Sequence, residues 1–436
     1  MKEKLGKRVR AGAPATKKMD MRRDLIVQNN FLMHLLAFPI AAMRSKLCHA
    51  RIHKVNMENI QTPFILICNH NAYYDFYVMV HATYPYTGIY PAAIDDFIGR
   101  ELFLRYGGCV PKRKYTSDLT TVLQCKKALE LGQNFGIFAE ARYSLCGVTE
   151  MDALTESLGQ LVKLMEVPCV TFTTRGHHIT DPFWGNHIPR LLHHTDGYLT
   201  QIFTADEVKN ATTEEINAKI REYLANDDWR WQSENRIAVK RKNRAEGLHK
   251  PLYMCPACKT EYRMNSKGAE LFCEHCGKRW TLNYYGELEG NDGVTEFKFP
   301  SDWYLWEKEL VTQEVEEGRY YFECDCHVNE LPNSKGFVRL GKGKLVHDIN
   351  GFRLDGVRDY DGEPFKMHLD ALAQNSVHVE YNYRFGNGKD CIDLNSLKDT
   401  YYVFPENCLF SVTKVTFATE AIYKKVWREK GIVKKK

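Results

Sequence analysis

Residues 63–84, PFILICNHNAYYDFYVMVHATY, join a strand pattern directly to a helix pattern. PFILIC is a continuous apolar run of strand length, typical of a strand that is buried on both faces. DFYVMVHATY has the apolar spacing of a helix. The segment NHNAYYD (69–75) therefore lies where a buried strand ends and a helix begins.

Strand and helix patterns continue to alternate from about residue 55 to residue 225. Further strand patterns are FGIFAE, VPCVTFTT and DGYLTQIFT, and TTEEINAKIREYLA has the pattern of a helix capped by threonine. This alternation is typical of an α/β fold, in which a mostly parallel sheet is flanked by helices. We predict this fold class for the main domain, residues 55–245.

Changes of pattern divide the 436 residues into four parts. Residues 1–54 are predicted to form a basic tail and an amphipathic helix, and residues 55–245 the main domain. A compact cysteine module follows at 250–286, after a polar, basic stretch at 236–250 that we interpret as a linker. Residues 294–436 are predicted to form a β-rich domain with a closing helix, and their pattern resembles a pleckstrin-homology-like barrel.

The N-terminal part carries the features of a membrane-surface segment. Its first 23 residues hold nine lysines and arginines against one glutamate and one aspartate. FLMHLLAFPIAAM (31–43) is too short to span a bilayer and is interrupted by His34 and Pro39. We interpret it as a helix lying in the membrane interface, with packing on the protein's own core as the alternative. No secretory signal is recognised. We expect a cytoplasmic protein that is peripherally associated with the inner face of the membrane.

Four of the 14 cysteines form two CxxC pairs, Cys255/Cys258 and Cys273/Cys276. Two such pairs at this spacing present four thiolates tetrahedrally, as Zn²⁺ prefers. The sequences between and after them resemble hairpins, which gives the pattern of a zinc ribbon. A site closed by four thiolates leaves no position for a substrate, so we predict a structural zinc ion. Most other cysteines lie in apolar runs, which indicates a reducing compartment.

The strongest candidate for chemistry is His70 with Asp75. In a parallel sheet, ligands bind at the carboxyl ends of the strands, where His70 is predicted to lie. The four residues between them allow the carboxylate to fold back onto the imidazole, fix its tautomer and leave the other ring nitrogen free to take a proton. Considered alone, the pattern favours Asp75 as a helix cap and His70 as an ordinary loop histidine, because a long chain contains such a spacing by chance.

Three further motifs follow in order: GGCVPKR (107–113), FAEARYS (138–144) and VPCV (167–170). With NHNAYYD they resemble the four blocks of the lysophosphatidic-acid-type glycerolipid acyltransferases (1-acyl-glycerol-3-phosphate acyltransferase-like). The resemblance covers residues 55–225, about half of the chain. Four blocks in order are far more specific than any one of them.

The resemblance implies direct transfer of an acyl group from acyl-CoA or acyl-carrier protein to a lysophospholipid hydroxyl. His70 would act as general base and Asp75 would orient it. Gly107 belongs to the implied substrate-binding block, Arg113 would bind the acceptor's phosphate, and Glu140 with Arg142 would complete the acceptor site.

One block departs from the usual family pattern. Its arginine, Arg142, follows Glu140 by two residues instead of three, and Ala141 replaces the usual glycine. Because of this departure, the resemblance does not determine which lipid is the acceptor. The alternative role of Glu140 and Arg142 is an ion pair at a strand end. A GxSxG nucleophile motif and a phosphate-binding GxxxxGK[ST] loop are absent from the sequence.

A group of histidines, His177, His178, His187, His193 and His194, could suggest a metal site. No carboxylate accompanies them at ligand spacing, so we interpret the group as a polar loop over the active site.

We therefore predict an acyltransferase that moves a fatty acyl group from an acyl thioester to a lysophospholipid at the membrane surface. The alternative is a catalytically silent adaptor that uses the same fold and the zinc ribbon to bind a membrane or nucleic acid. Nucleic acid is not expected as a partner of the enzyme. A third hypothesis keeps the reaction but replaces the acceptor with a lipid that lacks phosphate.

Overall fold

The computed structural model describes residues 9–10, 17–21, 25–29, 31, 33–116, 119–150, 154, 156–185, 194–384 and 387–431. Its first sheet has the strand order β2-β8-β7-β3-β6-β4-β5. Neighbouring strands are parallel except for β7 and β8. The strands are β2 (Ala50–Val55), β3 (Ile65–Cys68), β4 (Gly88–Ala93), β5 (Cys109–Lys112), β6 (Asn134–Phe138), β7 (Cys169–Arg175) and β8 (Thr195–Phe203).

Helices cover this sheet, so the predicted mostly parallel sheet flanked by helices is confirmed. β3, the strand of the PFILIC pattern, is buried along its whole length at the centre of the sheet. The helices are α1 (Phe38–Leu47), α2 (Asp75–Thr83), α3 (Glu101–Tyr106), α4 (Thr120–Glu130), α5 (Ser157–Met165), α6 (His177–Thr180), α7 (Ala205–Asn210), α8 (Thr213–Leu224) and α9 (Asp228–Glu234).

Helix α8 begins where the sequence predicts it. The Thr212 side chain accepts a hydrogen bond from the backbone N–H of Glu215, and the Glu215 carboxylate bonds back to the N–H of Thr212. This reciprocal cap satisfies two N–H groups that the first helical turn would otherwise leave without partners. Helix α7 has the same cap, made by Thr204 and Glu207.

A small antiparallel sheet follows, with strand order β12-β11-β10-β9. It consists of β9 (Met264–Lys267), β10 (Glu270–Cys273), β11 (Arg279–Leu282) and β12 (Leu288–Gly290). Hairpins connect its strands, as the cysteine-rich sequence indicated, and the four CxxC cysteines lie at one end of it.

The C-terminal part is β-rich, as predicted, and lies between helices α10 (Pro300–Glu316) and α11 (Val412–Glu429). Its antiparallel strand order is β16-β15-β14-β13-β19-β18-β17. The strands are β13 (Phe322–Asn333), β14 (Gly336–Asp348), β15 (Gly351–Arg358), β16 (Pro364–Asp370), β17 (His378–Tyr383), β18 (Lys389–Asn395) and β19 (Thr400–Glu406).

The N-terminal segment is attached to this C-terminal sheet. Strand β1 (Val9–Arg10) pairs in parallel with β14. Further along, the N–H of Met19 bonds to the carbonyl of Pro332, and the Lys18 ammonium forms an ion pair with Asp399. Residues that are far apart in sequence therefore lie side by side.

One apolar core runs through the cysteine-rich sheet, the C-terminal sheet and the loop after β6. Leu145 from that loop shares this core with Trp280 and Val403. The predicted linker at 236–250 is also packed, because Ala245 and Leu248 are fully buried in the same core. The stretch is therefore packed against the protein, and its role as a linker and the domain limits drawn from the sequence stay predictions.

The predicted amphipathic segment is helical from Met33 to Leu47, as a π-helical turn (Met33–Ala37) followed by α1. Met33, Phe38 and Ala41 are buried against the protein, whereas large apolar side chains on the other side are exposed. The exposed ones are Phe31, Leu35, Leu36, Ile40, Met43 and Leu47. Within the described part of the chain, no helix combines the length and the apolar character needed to cross a membrane.

Candidate active site

His70 and Asp75 are in hydrogen-bond contact at the carboxyl end of β3. The distance between His70 Nδ1 and Asp75 Oδ2 is 3.0 Å. The same carboxylate oxygen accepts the backbone N–H groups of Asn71 and Ala72, at 2.5 and 2.8 Å. The tight loop therefore fixes the carboxylate, and the carboxylate fixes the imidazole.

His177 contacts the other oxygen of Asp75. Its Nδ1 lies 2.5 Å from Asp75 Oδ1, and both side chains are fully buried. Burial raises the pKa of Asp75, but its hydrogen bonds to His177 and His70 outweigh this effect and lower the pKa to about 2. The carboxylate is therefore ionised between two imidazoles at neutral pH.

His177 was missed as a site residue in the sequence. It begins α6 directly after β7, and β7 is the neighbour of β3 in the sheet. The carboxyl ends of adjacent parallel strands meet at one edge, and this signal could have found it. His178 is buried beside it, whereas His187 and His193 lie outside the described residues.

The His70 ring lies between two aromatic rings. Its centroid is 4.0 Å from that of Phe138 and 4.1 Å from that of Tyr143. The side chain remains 16% exposed, in contrast to the fully buried Asp75. The aromatic contacts hold the ring in place, and the remaining exposure gives small groups access to His70.

Glu140 lies behind the backbone of His70. Its Oε2 is 3.4 Å from the backbone nitrogen of His70, and its Oε1 accepts a 2.8 Å bond from the N–H of Glu150. The side chain is buried, and this burial raises the pKa of Glu140 to about 7. The structure thus places Glu140 beside the loop of residues 69–75, where it contacts the His70 backbone.

The Arg142 side chain contacts the C-terminal part of the chain. Its guanidinium donates to Glu420 Oε1 at 2.8 Å and to Ser376 Oγ at 2.6 Å, and the residue is only 2% exposed. Both partners belong to the C-terminal part of the chain. Although Arg142 follows Glu140 closely in sequence, its side chain faces this buried contact.

Arg113 and Gly107 are on neighbouring elements. Gly107 ends helix α3, and the Gln28 side chain donates to its carbonyl at 2.6 Å. Arg113 follows β5 and lines a cleft of about 120 Å³ together with Lys112, Thr116 and Leu397. Two cations and a threonine in one cleft are suitable for binding an anion.

Lys114, which follows Arg113 in the sequence, is largely buried, with 14% of its side chain exposed. Its ammonium lies among Asp95, Glu380 and Asp393. The lysine therefore faces the C-terminal sheet and not the solvent.

The four cysteines of the small sheet fit a zinc ion. The Sγ atoms of Cys255 and Cys276 are 3.7 Å apart, and those of Cys258 and Cys273 are 3.8 Å apart. Four thiolates at about 2.3 Å from a tetrahedral zinc ion are roughly 3.8 Å from one another. These residues would hold the ion, which would contribute to the stability of the small sheet when bound.

Residues 51–175 match the family model described as Acyltransferase. This chain carries an acyltransferase domain. The matched segment contains His70, Asp75, Arg113 and Glu140, and ends two residues before His177.

Two solved structures are similar to parts of the chain. The 1-acyl-sn-glycerophosphate (LPA) acyltransferase of Thermotoga maritima matches 45% of this chain and 82% of its own, with 16% identity and a TM-score of 0.32. SsgB of Streptomyces coelicolor matches 25% of this chain and 86% of its own, with 15% identity and a TM-score of 0.13. At these low TM-scores, neither similarity supports a conclusion about the chain described here. No curated protein matches the chain significantly.

Proposed function

We propose that the protein transfers a fatty acyl group from an acyl thioester to the free hydroxyl of a lysophospholipid. The observation that carries this proposal is the hydrogen bond between His70 and Asp75 at the carboxyl end of β3. It supplies a partly exposed imidazole whose orientation is fixed by a buried carboxylate, which is the arrangement a general base requires.

In the proposed reaction, the unbonded ring nitrogen of His70, Nε2, takes the proton of the acceptor hydroxyl. The hydroxyl oxygen attacks the thioester carbonyl, and the new C–O bond replaces the C–S bond. The departing thiolate takes the proton back from His70, so base and product are both restored. Asp75 stabilises the imidazolium in between, and His177 holds Asp75 from the opposite side.

The proposed phosphate site of the acceptor is the cleft of Arg113, Lys112 and Thr116. A guanidinium binds phosphate through two parallel hydrogen bonds, and the ammonium of Lys112 adds positive charge. Glu140 is proposed to brace the His70 backbone. The buried pairing of Arg142 supports a role between the two parts of the chain instead of in the acceptor site.

We propose that the enzyme acts at the inner face of a membrane, with acyl-CoA or acyl-carrier protein as donor. The exposed apolar side chains of the N-terminal helical segment support this proposal, because such side chains are suited to the interface of a bilayer. The basic residues Arg44 and Lys46 near the end of α1 would attract anionic headgroups.

The test is acyl transfer from labelled acyl-CoA to a panel of lysolipids, with the full-length protein and its His70→Ala variant. We expect a loss of at least about a hundredfold in kcat for the variant. His53→Ala is a matched control, because His53 Nε2 is also 3.0 Å from a carboxylate, that of Asp196, but outside the site. Equal rates for wild type and His70→Ala would refute the reaction and favour the adaptor hypothesis.

The acceptor is tested with Arg113→Ala. For a lysophospholipid with a phosphate beside its hydroxyl, we expect the acceptor KM to rise at least about tenfold. For an acceptor without phosphate the KM should be unchanged. If Arg113→Ala binds both acceptors as tightly as the wild type does, Arg113 is not part of the phosphate site.

A further inference from the structure

A second group of ligand-type side chains lies in the C-terminal sheet, apart from the catalytic residues and the four cysteines. His378 and Glu380 are on β17, and Asp393 is on β18. His378 is directly opposite Asp393 in the antiparallel ladder. Because residues two apart on a strand point to the same face, Glu380 joins them there. His378 and Asp393 are almost completely buried, and Glu380 is partly buried.

The spacing of the three side chains is that of metal ligands. His378 Nε2 is 3.0 Å from Glu380 Oε1 and 3.8 Å from Asp393 Oδ2. All three ligand atoms lie within 4.8 Å of one another. Two nitrogen or oxygen ligands about 2.1 Å from one ion, at tetrahedral or octahedral angles, are roughly 3.0–3.4 Å apart. Small side-chain shifts would therefore bring all three atoms into coordination.

The electrostatics of the site also favour a cation. Asp393 is 1% exposed, and its Oδ2, which lies 3.8 Å from His378 Nε2, accepts no hydrogen bond from any residue that the structure describes. Lys114 lies on the other side, with Nζ 3.6 Å from Asp393 Oδ2 and 3.7 Å from Asp95 Oδ1. Both distances exceed the 2.7–2.9 Å or so of a charge-assisted hydrogen bond. Glu380 Oε1 is 4.0 Å from the same Nζ, so one ammonium is shared by three carboxylates without bonding closely to any of them. Buried carboxylates require pairing or metal coordination.

The imidazole can become a ligand by moving one proton. Nε2 of His378 is 3.0 Å from Glu380 Oε1 and therefore carries the proton of that hydrogen bond when no ion is bound. Nδ1 has no hydrogen-bond partner among the described residues and can accept this proton. Transfer of the proton to Nδ1 gives Nε2 the lone pair that a metal ion needs. From these observations we propose that His378, Glu380 and Asp393 form a divalent-cation site. One imidazole and two carboxylates suit Mn²⁺ or Zn²⁺.

The proposed site lies where two parts of the molecule meet. Lys114 and Asp95 come from the acyltransferase sheet, at the ends of β5 and β4, whereas the three ligands come from the C-terminal sheet. The ring of Phe183 is 6.2 Å from that of His378 and 5.3 Å from that of Tyr143, which itself contacts His70. Two aromatic rings in succession, those of Phe183 and Tyr143, thus connect the site to His70.

Manganese is the probe, because thiolate sites select zinc, and carboxylates and imidazole accept Mn²⁺. Full-length protein, treated with chelator, dialysed and reloaded with one equivalent of Zn²⁺ for the four cysteines, is titrated with Mn²⁺ while the EPR signal of the free ion is followed. We expect one Mn²⁺ per wild-type chain and at least about tenfold weaker binding in Asp393→Asn and Glu380→Gln. Asp355→Asn is the matched control, since Asp355 is 3.0 Å from His368 on the same sheet but is exposed and has no third ligand. It should bind as the wild type does.

A further variant separates metal binding from folding defects. Lys114→Met removes the ammonium that competes for Asp393, so the proposal expects it to bind Mn²⁺ several-fold more tightly than the wild type. A misfolded variant could not show this gain. The proposal is overturned if the wild type takes up no Mn²⁺, if Asp393→Asn binds as well as the wild type, or if Lys114→Met binds more weakly.

Discussion

Arg142 Nη2 donates a 2.8 Å hydrogen bond to Oε1 of Glu420, which lies 278 residues further along the chain. Lys308 and Glu150 complete a buried cluster, with the Lys308 ammonium 2.8 Å from both Glu150 Oε2 and Glu420 Oε2. Two positive and two negative charges are thereby balanced between the loop after β6, which carries Arg142 and Glu150, and the helices α10 and α11. The cluster joins the loop that carries Glu140 to the C-terminal part.

The first prediction concerns this cluster. Arg142→Ala leaves two buried carboxylates with one ammonium, so we expect the free energy of unfolding to fall by about 3–5 kcal/mol. Urea unfolding of the full chain measures the change. Arg353→Ala is the control, because Arg353 pairs with Asp348 at a partly exposed site and should cost less than about 1 kcal/mol. An Arg142→Ala protein as stable as the wild type, with a raised acceptor KM, would instead support the substrate role implied by the family resemblance.

The second prediction concerns His177. His177→Leu removes the hydrogen bond to one oxygen of the Asp75 carboxylate, which is worth about 1.5–3 kcal/mol for a charged acceptor. We expect kcat for acyl transfer to fall about tenfold or more, with little change in the acceptor KM, because His177 lies behind Asp75. His177→Asn keeps an N–H donor near the same position and should restore most of kcat. Equal kcat for His177→Leu and wild type would remove His177 from the mechanism.

The third prediction concerns the pH dependence of stability. Because burial raises the pKa of Glu140 to about 7 from 4.5, the native state keeps this proton between pH 4.5 and 7 while the unfolded state loses it. Stability from this group is therefore present below pH 4.5 and falls as the pH rises to 7, by about 3 kcal/mol in total. Glu140→Gln should lack this decrease. The measurement is the free energy of unfolding in urea of both proteins at pH 4.5, 5.5 and 7. If this free energy changes with pH by the same amount in wild type and Glu140→Gln, the prediction is contradicted.

The fourth prediction concerns the four cysteines. Cys258→Ser should lower the zinc content by one equivalent per chain and the Tm by at least about 5 °C, because zinc binding contributes directly to folding. Elemental analysis and thermal unfolding measure the two effects. Cys48→Ser, which changes a half-buried cysteine outside the ribbon, should leave the zinc content unchanged. Equal zinc contents in Cys258→Ser and wild type would show that the thiolates hold no zinc.

Local features of the sequence predicted much of the fold. The strand before His70, the helix from Asp75 and the cap at Thr212 each depend on neighbouring residues, and all are present. The contact between His70 and Asp75 was predictable for the same reason, since five positions separate them.

Contacts between distant residues were not predictable in this way. His177 is 102 positions from Asp75, and the two meet only because β7 and β3 are adjacent in the sheet. The Arg142 side chain faces Glu420 because α11 packs against the loop after β6. The two residues are 278 positions apart, so no local sequence pattern could predict this contact. The family pattern therefore located Arg142 on the correct loop but did not predict its partner.

The attachment of the N-terminal segment has a consequence for how the protein folds during its synthesis. Lys18 leaves the ribosome 381 residues before Asp399, and Arg142 leaves it 278 residues before Glu420. Neither partner is available to the growing chain until residues 399 and 420 have been synthesised. Until then, Glu150, 3.8 Å from Arg142 Nη2, is the only carboxylate of the buried cluster that Arg142 can contact. A ribosome that stops before residue 399 releases a chain in which neither contact can form. The native contacts of the loop after β6 are thus coupled to synthesis of the chain as far as Glu420.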